Sequence, residues 1–136
     1  MPITLTDQDK HTLRTAAYGA VSLLTAAGAA GGSPHRIATN GSIALGSATG
    51  AVGHVLAEYP KDKDLNGKTV AELADHVLPA LTATMSLLKA QDPAEADNFR
   101  STVMVAVEAA IRTGKGEPGP VVADMARKIT AALDAA

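Results

Sequence analysis

The segment TVAELADHVLPALTATMSLLK at residues 69–89 decides the fold. Its apolar residues recur at spacings of three and four, as they do on a helix that buries one face. Thr69 can cap the helix while Glu72, three residues on, reaches back to complete a capping box. Pro79 lacks a backbone donor, so we expect a kink near Asp75. The segment predicts a long helix whose buried stripe is Val70, Leu73, Val77, Leu81, Met85 and Leu88.

The same signals recur on both sides of this segment. Thr6, Ser33 and Asp92 each stand where an N-cap is expected, and Pro120 opens the last apolar repeat. The predicted helices cover about residues 7–29, 34–58, 70–88, 93–112 and 120–135.

The second predicted helix contains an expected break in the pattern of helix-forming residues. Asn40 and Gly41 should split it into a short first turn and a longer helix from Ser42.

The connections between the predicted helices are short. Short connections between long helices favour antiparallel neighbours, and no strand pattern appears. The sequence therefore predicts an all-α fold, a single-domain up-and-down bundle of four to five helices over residues 1–136.

Composition excludes several classes of function. The chain has 136 residues with a net charge of -2, and its 12 basic and 14 acidic residues form no basic field, so we expect no nucleic acid partner. The absence of cysteine is compatible with a reducing compartment, and we predict a cytoplasmic protein. With only Tyr18, Tyr59 and Phe99 as aromatic residues, a flavin or haem pocket is disfavoured and no cofactor is expected.

Two long stretches carry almost no charge. None occurs from residue 15 to 34, and from residue 37 to 57 only His54 could carry one. Threonine, serine, glycine and asparagine make both stretches too polar to span a membrane, which favours helices buried in a soluble bundle.

The second stretch contains the first candidate site. Gly46, Gly50 and Gly53 are spaced to lie near one another on a helix, where small residues let a second backbone approach closely. The pattern favours tight packing within the domain, and a homodimer seam or a ligand cleft are the alternatives. His54 adjoins these glycines, and a histidine hydrogen-bonded at a helix interface is commoner than a ligand or proton carrier.

A second candidate is the glycine-rich corner at residues 28–33, which leads into Pro34, His35 and Arg36. Free amides at that helix start, with His35 and Arg36 beside them, would suit an anion. The corner lacks the strand and the Gly-Lys-Ser or Gly-Lys-Thr ending of a phosphate loop. A simple helix-to-helix corner is the favoured interpretation.

Metal sites are weakly represented. Asp62, Asp64 and Asn66 match the first half of a calcium-binding loop, but Leu73 stands where a bidentate glutamate should close the site. Glu72 and His76 share a helix face without the second Glu-x-x-His copy of a di-iron bundle. We therefore expect no bound metal. Asp62, Asp64 and Asn66 are interpreted as part of a polar loop, and Glu72 and His76 as part of a solvated helix face.

No catalytic motif emerges, so the sequence predicts a small soluble protein that is not an enzyme. We expect it to act by self-association, as a homodimer, or through a protein partner, with residues 42–55 as the contact face. The alternative is a helical bundle that binds a small apolar or anionic ligand near Gly50 and His54, beside His35 and Arg36. Binding to a membrane surface is the least favoured.

Overall fold

The computed structural model describes residues 4–28, 34–58, 69–112 and 119–136, and the side chains of residues 34–36 are outside that description. The described part is all-α, as predicted, and contains no strand. Within these ranges there are six helices, one more than the predicted upper number. They are α1 (Asp7–Gly28), α2 (Pro34–Gly46), α3 (Gly50–Leu56), α4 (Val70–Gln91), α5 (Pro93–Ile111) and α6 (Pro120–Asp134).

Hydrogen bonds confirm the predicted helix starts. The backbone N–H of Asp9 donates to Thr6 Oγ1, and that of Thr6 donates to Asp9 Oδ2, both at 3.0 Å. Thr69 Oγ1 accepts from the backbone N–H of Glu72 at 3.1 Å. Asp92 Oδ1 accepts from Ala94 N at 3.0 Å. These caps satisfy amides that have no partner inside their own helices, and Ser33 lies outside the described residues.

The predicted break at Asn40 and Gly41 is wrong, because α2 continues through both residues to Gly46. Gly41 is buried, and a Cβ there would lie 2.8 Å from Val21 Cγ1 of α1. The lack of a side chain at Gly41 therefore permits close packing of α2 against α1. The chain breaks instead at residues 47–49, where α3 begins at Gly50 with a φ of 74°.

The helix α1 is buried on nearly every side. Leu13, Ala17, Ala20, Leu24 and Ala27, which recur at spacings of three and four, face the core. The remaining faces of α1 are covered as well, since it packs against all five other helices. This position explains why residues 15–28 carry no charge. The further buried residues of α1 include Thr15, Ala16, Tyr18, Val21 and Leu23.

The predicted stripe of α4 is confirmed from Leu73 to Leu88, whereas Val70 is exposed in the first turn. The helix is continuous through Pro79, and the kink near Asp75 stays a prediction. Among the described residues, no helix combines the length and the apolar character needed to cross a bilayer.

Contacts between helix ends give the helix directions. Thr4, just before α1, donates from its backbone N–H to the Gln91 side chain at the end of α4, so these helices are antiparallel. Asn98 Nδ2 in α5 donates to the Thr49 carbonyl oxygen, 2.9 Å away and just beyond α2. Since α2 packs along α5, these two are also antiparallel. Lys89 near the end of α4 bonds to Ala136, which places α4 and α6 parallel.

Candidate functional site

The three candidate glycines do not share one helix face. Gly46 is the last residue of α2, whereas Gly50 and Gly53 belong to α3. The turn at residues 47–49 separates the two helices, so the continuous small-residue face expected over residues 42–55 is wrong. Each glycine has its own surroundings.

Gly46 lies on open surface. A Cβ at this position would have no atom within 4 Å in the described structure. One turn earlier Ile43 has 63% of its surface exposed, an unusual degree for a large apolar residue. Ser47, just after α2, is also exposed, and its hydroxyl donates to the Ile43 carbonyl oxygen in the last turn of that helix. We call the outward residues of this region, Thr39, Ile43, Gly46 and Ser47, the neutral face.

The neutral face is distinguished by its lack of charge. No Asp, Glu, Lys or Arg occurs from residue 37 to residue 57, although these types make up 19% of the chain. The exposed sides of α4, α5 and α6 all carry acidic and basic residues, such as Asp75, Glu108 and Lys128. The cores of protein interfaces are depleted of charged residues, whereas an outer helix face in water usually carries them.

The exposed side of α5 extends this surface. Val105 in α5 is 57% exposed. The contact between Asn98 and Thr49 gives a common reference point along the two antiparallel helices. Val105 is seven residues after Asn98, and Ile43 is six residues before Thr49. The two side chains therefore lie at a similar height along the helix axes. This side of α5 also carries charged residues: exposed Asp97 lies about two turns before Val105, and exposed Glu108 lies one turn after it, with its carboxylate 3.8 Å from the Arg112 guanidinium.

Gly50 and Gly53 are explained by packing inside the chain. A Cβ on Gly50 would lie 3.0 Å from Glu95 Oε1 of α5, and a Cβ on Gly53 would overlap the Ala48 carbonyl group. Glu95 Oε2 also accepts from the backbone N–H of Val52, at the start of α3. A carboxylate therefore already occupies the place where an anionic ligand would meet this helix start, and its charge would repel such a ligand.

The other end of α3 is held by two side chains of α1. Arg14 Nε donates to the Val55 carbonyl oxygen at 2.9 Å, and Arg14 Nη2 lies 3.1 Å from Glu58 Oε2. The Tyr18 hydroxyl donates to the Leu56 carbonyl oxygen at 2.7 Å. These bonds satisfy carbonyl groups that end a helix.

These bonds from Arg14 and Tyr18 to α3 were not predicted from the sequence. The available signal was that both polar side chains lie on a helix whose following turns are uncharged and therefore buried. Buried polar groups need hydrogen-bond partners, so a partner on another segment could have been expected. His54 lies in the last turn of α3 with its side chain exposed. The predicted role as a histidine within a helix interface is therefore wrong.

The remaining predicted site residues are those of the candidate anion and metal sites, and the structure describes only some of their side chains. His35 and Arg36 lie in the first turn of α2, and their side chains are outside the described structure, as are Asp62, Asp64 and Asn66. Glu72 and His76 are exposed on α4, as predicted for a solvated face. Across the described ranges, no three His, Cys, Asp or Glu residues are grouped to hold a metal ion.

Comparisons with family models, with curated proteins and with solved structures find no match for this chain. Any function must therefore be argued from its own surface.

Proposed function

We propose that this protein is a non-enzymatic self-association module that binds a second copy of itself through the neutral face. A cytoplasmic location is part of the proposal and rests on the absence of cysteine.

The observation that carries the proposal is Ile43, which is 63% exposed in the last turn of α2, among residues 37–57 that include no Asp, Glu, Lys or Arg. Burying this side chain against another protein would remove apolar surface from water without desolvating any ion. The adjacent open space at Gly46 allows close approach of another helix. Both features favour protein contact over a role as a solvated helix.

The alternative function, binding a small apolar or anionic ligand near Gly50 and His54, has weaker support. Glu95 and the Ala48 carbonyl group fill the space beside Gly50 and Gly53. A thermal-shift screen would favour this alternative if a ligand at a hundred times its Kd added about 2.7 kcal/mol of stability.

Sedimentation velocity over about 1 μM to 1 mM tests self-association, a range that covers weak complexes. We expect the wild-type chain to shift from monomer to dimer within it. Ile43→Asp should weaken association by roughly a hundredfold, because each copy would bury an unpaired carboxylate in the contact.

Val121→Asp is the matched control. Val121 is 64% exposed, close to the value for Ile43, but it lies in the first turn of α6. This variant should associate like the wild type. A wild-type chain that stays monomeric throughout the range, or equal effects of the two substitutions, would contradict the proposal.

A further inference from the structure

We propose that Asn40 and Gly41 form a site of spontaneous modification, at which Asn40 loses its side-chain nitrogen as ammonia when α2 opens and is protected while the helix is closed. This inference goes beyond self-association, because it concerns the covalent stability of a single chain.

The packing of α2 places a glycine directly after an exposed asparagine. Asn40 is exposed, whereas Gly41 is buried where a Cβ would lie 2.8 Å from Val21 Cγ1. A larger residue at position 41 would therefore disturb the contact between α1 and α2. Glycine also leaves its own backbone nitrogen unshielded by a side chain, so the pair combines an accessible carboxamide with an accessible nucleophile.

The reaction needs only water as a co-reactant. The backbone nitrogen of Gly41 loses its proton and attacks Cγ of Asn40, and the bond from Cγ to the side-chain nitrogen breaks. That nitrogen takes up a proton and leaves as ammonia, which gives a five-membered cyclic imide. Water then adds to one of the two imide carbonyl carbons, and the ring opens to aspartate or to isoaspartate, in which the main chain runs through Cγ.

The helical geometry of α2 opposes the first step. The helix is continuous from Pro34 to Gly46. In a continuous α-helix the N–H of Gly41 donates to the carbonyl group four residues earlier, at Ile37. Side chains of a helix point back toward its N-terminus, which directs Cγ of Asn40 away from the next backbone nitrogen. The nucleophile is therefore occupied and misaligned until this turn unwinds.

The centre of α2 has a low intrinsic tendency to be helical. Residues 39–42 read Thr-Asn-Gly-Ser, and all four types disfavour a helix relative to alanine. Packing against α1 and α5, with Ile37 and Leu45 buried, therefore holds this helix closed. Local opening of such a segment costs less than unfolding of the whole domain, so α2 should open while the other helices stay folded.

The two products should differ in their effect on the fold. Aspartate at position 40 keeps the length of the main chain and changes only an exposed side chain. Isoaspartate inserts an extra carbon into the main chain before Gly41, which then cannot keep both its helical hydrogen bond and its contact with Val21. The isoaspartyl chain should therefore lose the packing of α2, whereas the aspartyl chain retains it.

Peptide mapping by mass spectrometry measures the conversion. The wild-type chain is incubated at mildly alkaline pH and low micromolar concentration, either folded in buffer or unfolded in guanidinium chloride. Trypsin cleaves after Arg36 and Lys61, so Asn40 lies in a different peptide from Asn66, which also precedes a glycine. We expect conversion of Asn40 in both samples, at a rate at least about tenfold lower in the folded chain.

Ile37→Val and Ile129→Val are matched variants that test whether α2 opens by itself. Both isoleucines are buried, and each variant deletes one methylene. Ile37 lies in α2, one turn before Gly41, whereas Ile129 lies in α6. In the folded chain Ile37→Val should accelerate the conversion by about three- to tenfold, and Ile129→Val should leave it unchanged. Equal rates of both variants in guanidinium chloride would show that the intrinsic chemistry is unaltered.

Hydrogen exchange tests the consequence for the fold. The isoaspartyl chain, isolated by chromatography, should lose amide protection in α2, while Asn40→Asp, which carries the same charge, should retain it. Equal protection in the two chains would show that the fold tolerates the extra carbon, which would contradict the assigned consequence.

Three outcomes of the mapping would overturn the proposal. An absence of conversion in the folded chain would show that α2 does not open, and equal rates in folded and unfolded chains would show that the helix gives no protection. Equal acceleration by the two isoleucine variants would show that the whole domain must unfold. None of these outcomes bears on self-association, which sedimentation tests separately.

Discussion

Gly50 and Gly46 flank the same turn, yet their backbones differ. Gly50 has a φ of 74°, in the left-handed region that side chains rarely adopt, while Gly46 is helical and open on its outer side. Gly50→Ala should lower the free energy of unfolding by about 1–2 kcal/mol. Gly46→Ala should leave it unchanged or raise it by up to about 1 kcal/mol. Urea unfolding at low micromolar concentration measures both, and equal effects would contradict this assignment.

Thr15 and Thr84 have buried hydroxyl groups for which the described structure provides no hydrogen-bond partner. Thr102 is similarly buried, but its hydroxyl donates to the Asn98 carbonyl oxygen at 2.7 Å. Thr15→Val and Thr84→Val should therefore stabilise the protein by up to about 1 kcal/mol, whereas Thr102→Val should destabilise it by a similar amount. Calorimetric Tm values provide the comparison. A loss of stability in all three variants would show that the two hydroxyl groups have partners after all.

The short helix α3 shows what periodicity can and cannot reveal about an element. Its apolar residues Val55 and Leu56 follow Val52 at spacings of three and four, and all three are buried, as such spacing indicates. Its start at Gly50 was missed, because the break depends on a left-handed backbone and on contacts from Glu95 and Asn98, far along the chain. Local spacing reports which face of a helix is apolar, but not which distant side chain satisfies its ends.

Tyr18 supports α3 through one buried hydrogen bond to the Leu56 carbonyl oxygen. Tyr18→Phe should cost about 1–2 kcal/mol and increase amide hydrogen exchange chiefly in α3, because that carbonyl loses a partner. Thr82→Val is the matched control, since Thr82 makes a comparable bond to the Ala132 carbonyl oxygen of α6. It should loosen the end of α6 and leave α3 protected. The same exchange pattern in both variants would argue against local support.

Assembly of the helices determines which sequence predictions hold. The capping residues and most of the buried stripes could be predicted because they depend on neighbours three or four residues away. The burial of α1 on nearly every side and the close contact at Gly41 depend on how the other five helices surround α1. The sequence shows that residues around the neutral face are uncharged. Only the folded structure shows that Ile43 is exposed and Leu45 is buried.

Arg100 and Asp134 link α5 to α6 and should make the stability of the whole bundle depend on pH. Arg100 Nε lies 2.9 Å from Asp134 Oδ1, and this hydrogen bond holds the pKa of Asp134 below its ordinary value of 3.8. The ionised carboxylate therefore favours the folded state, so its contribution is present above pH 4 and is lost as the pH falls through the lowered pKa. Since the pair is exposed, added salt should reduce the effect.

Asp134→Asn should therefore lower the urea midpoint above about pH 4 and converge with the wild type at lower pH, so that the midpoint falls less steeply between about pH 6 and pH 2.5. Asp124→Asn should also make this fall less steep, because Lys128 and Arg127 lower the pKa of Asp124. Asp124 bonds only within α6, however, so its variant should leave α5 and α6 equally well docked. If Asp134→Asn kept the wild-type pH profile, the link between α5 and α6 would carry no part of the acid response.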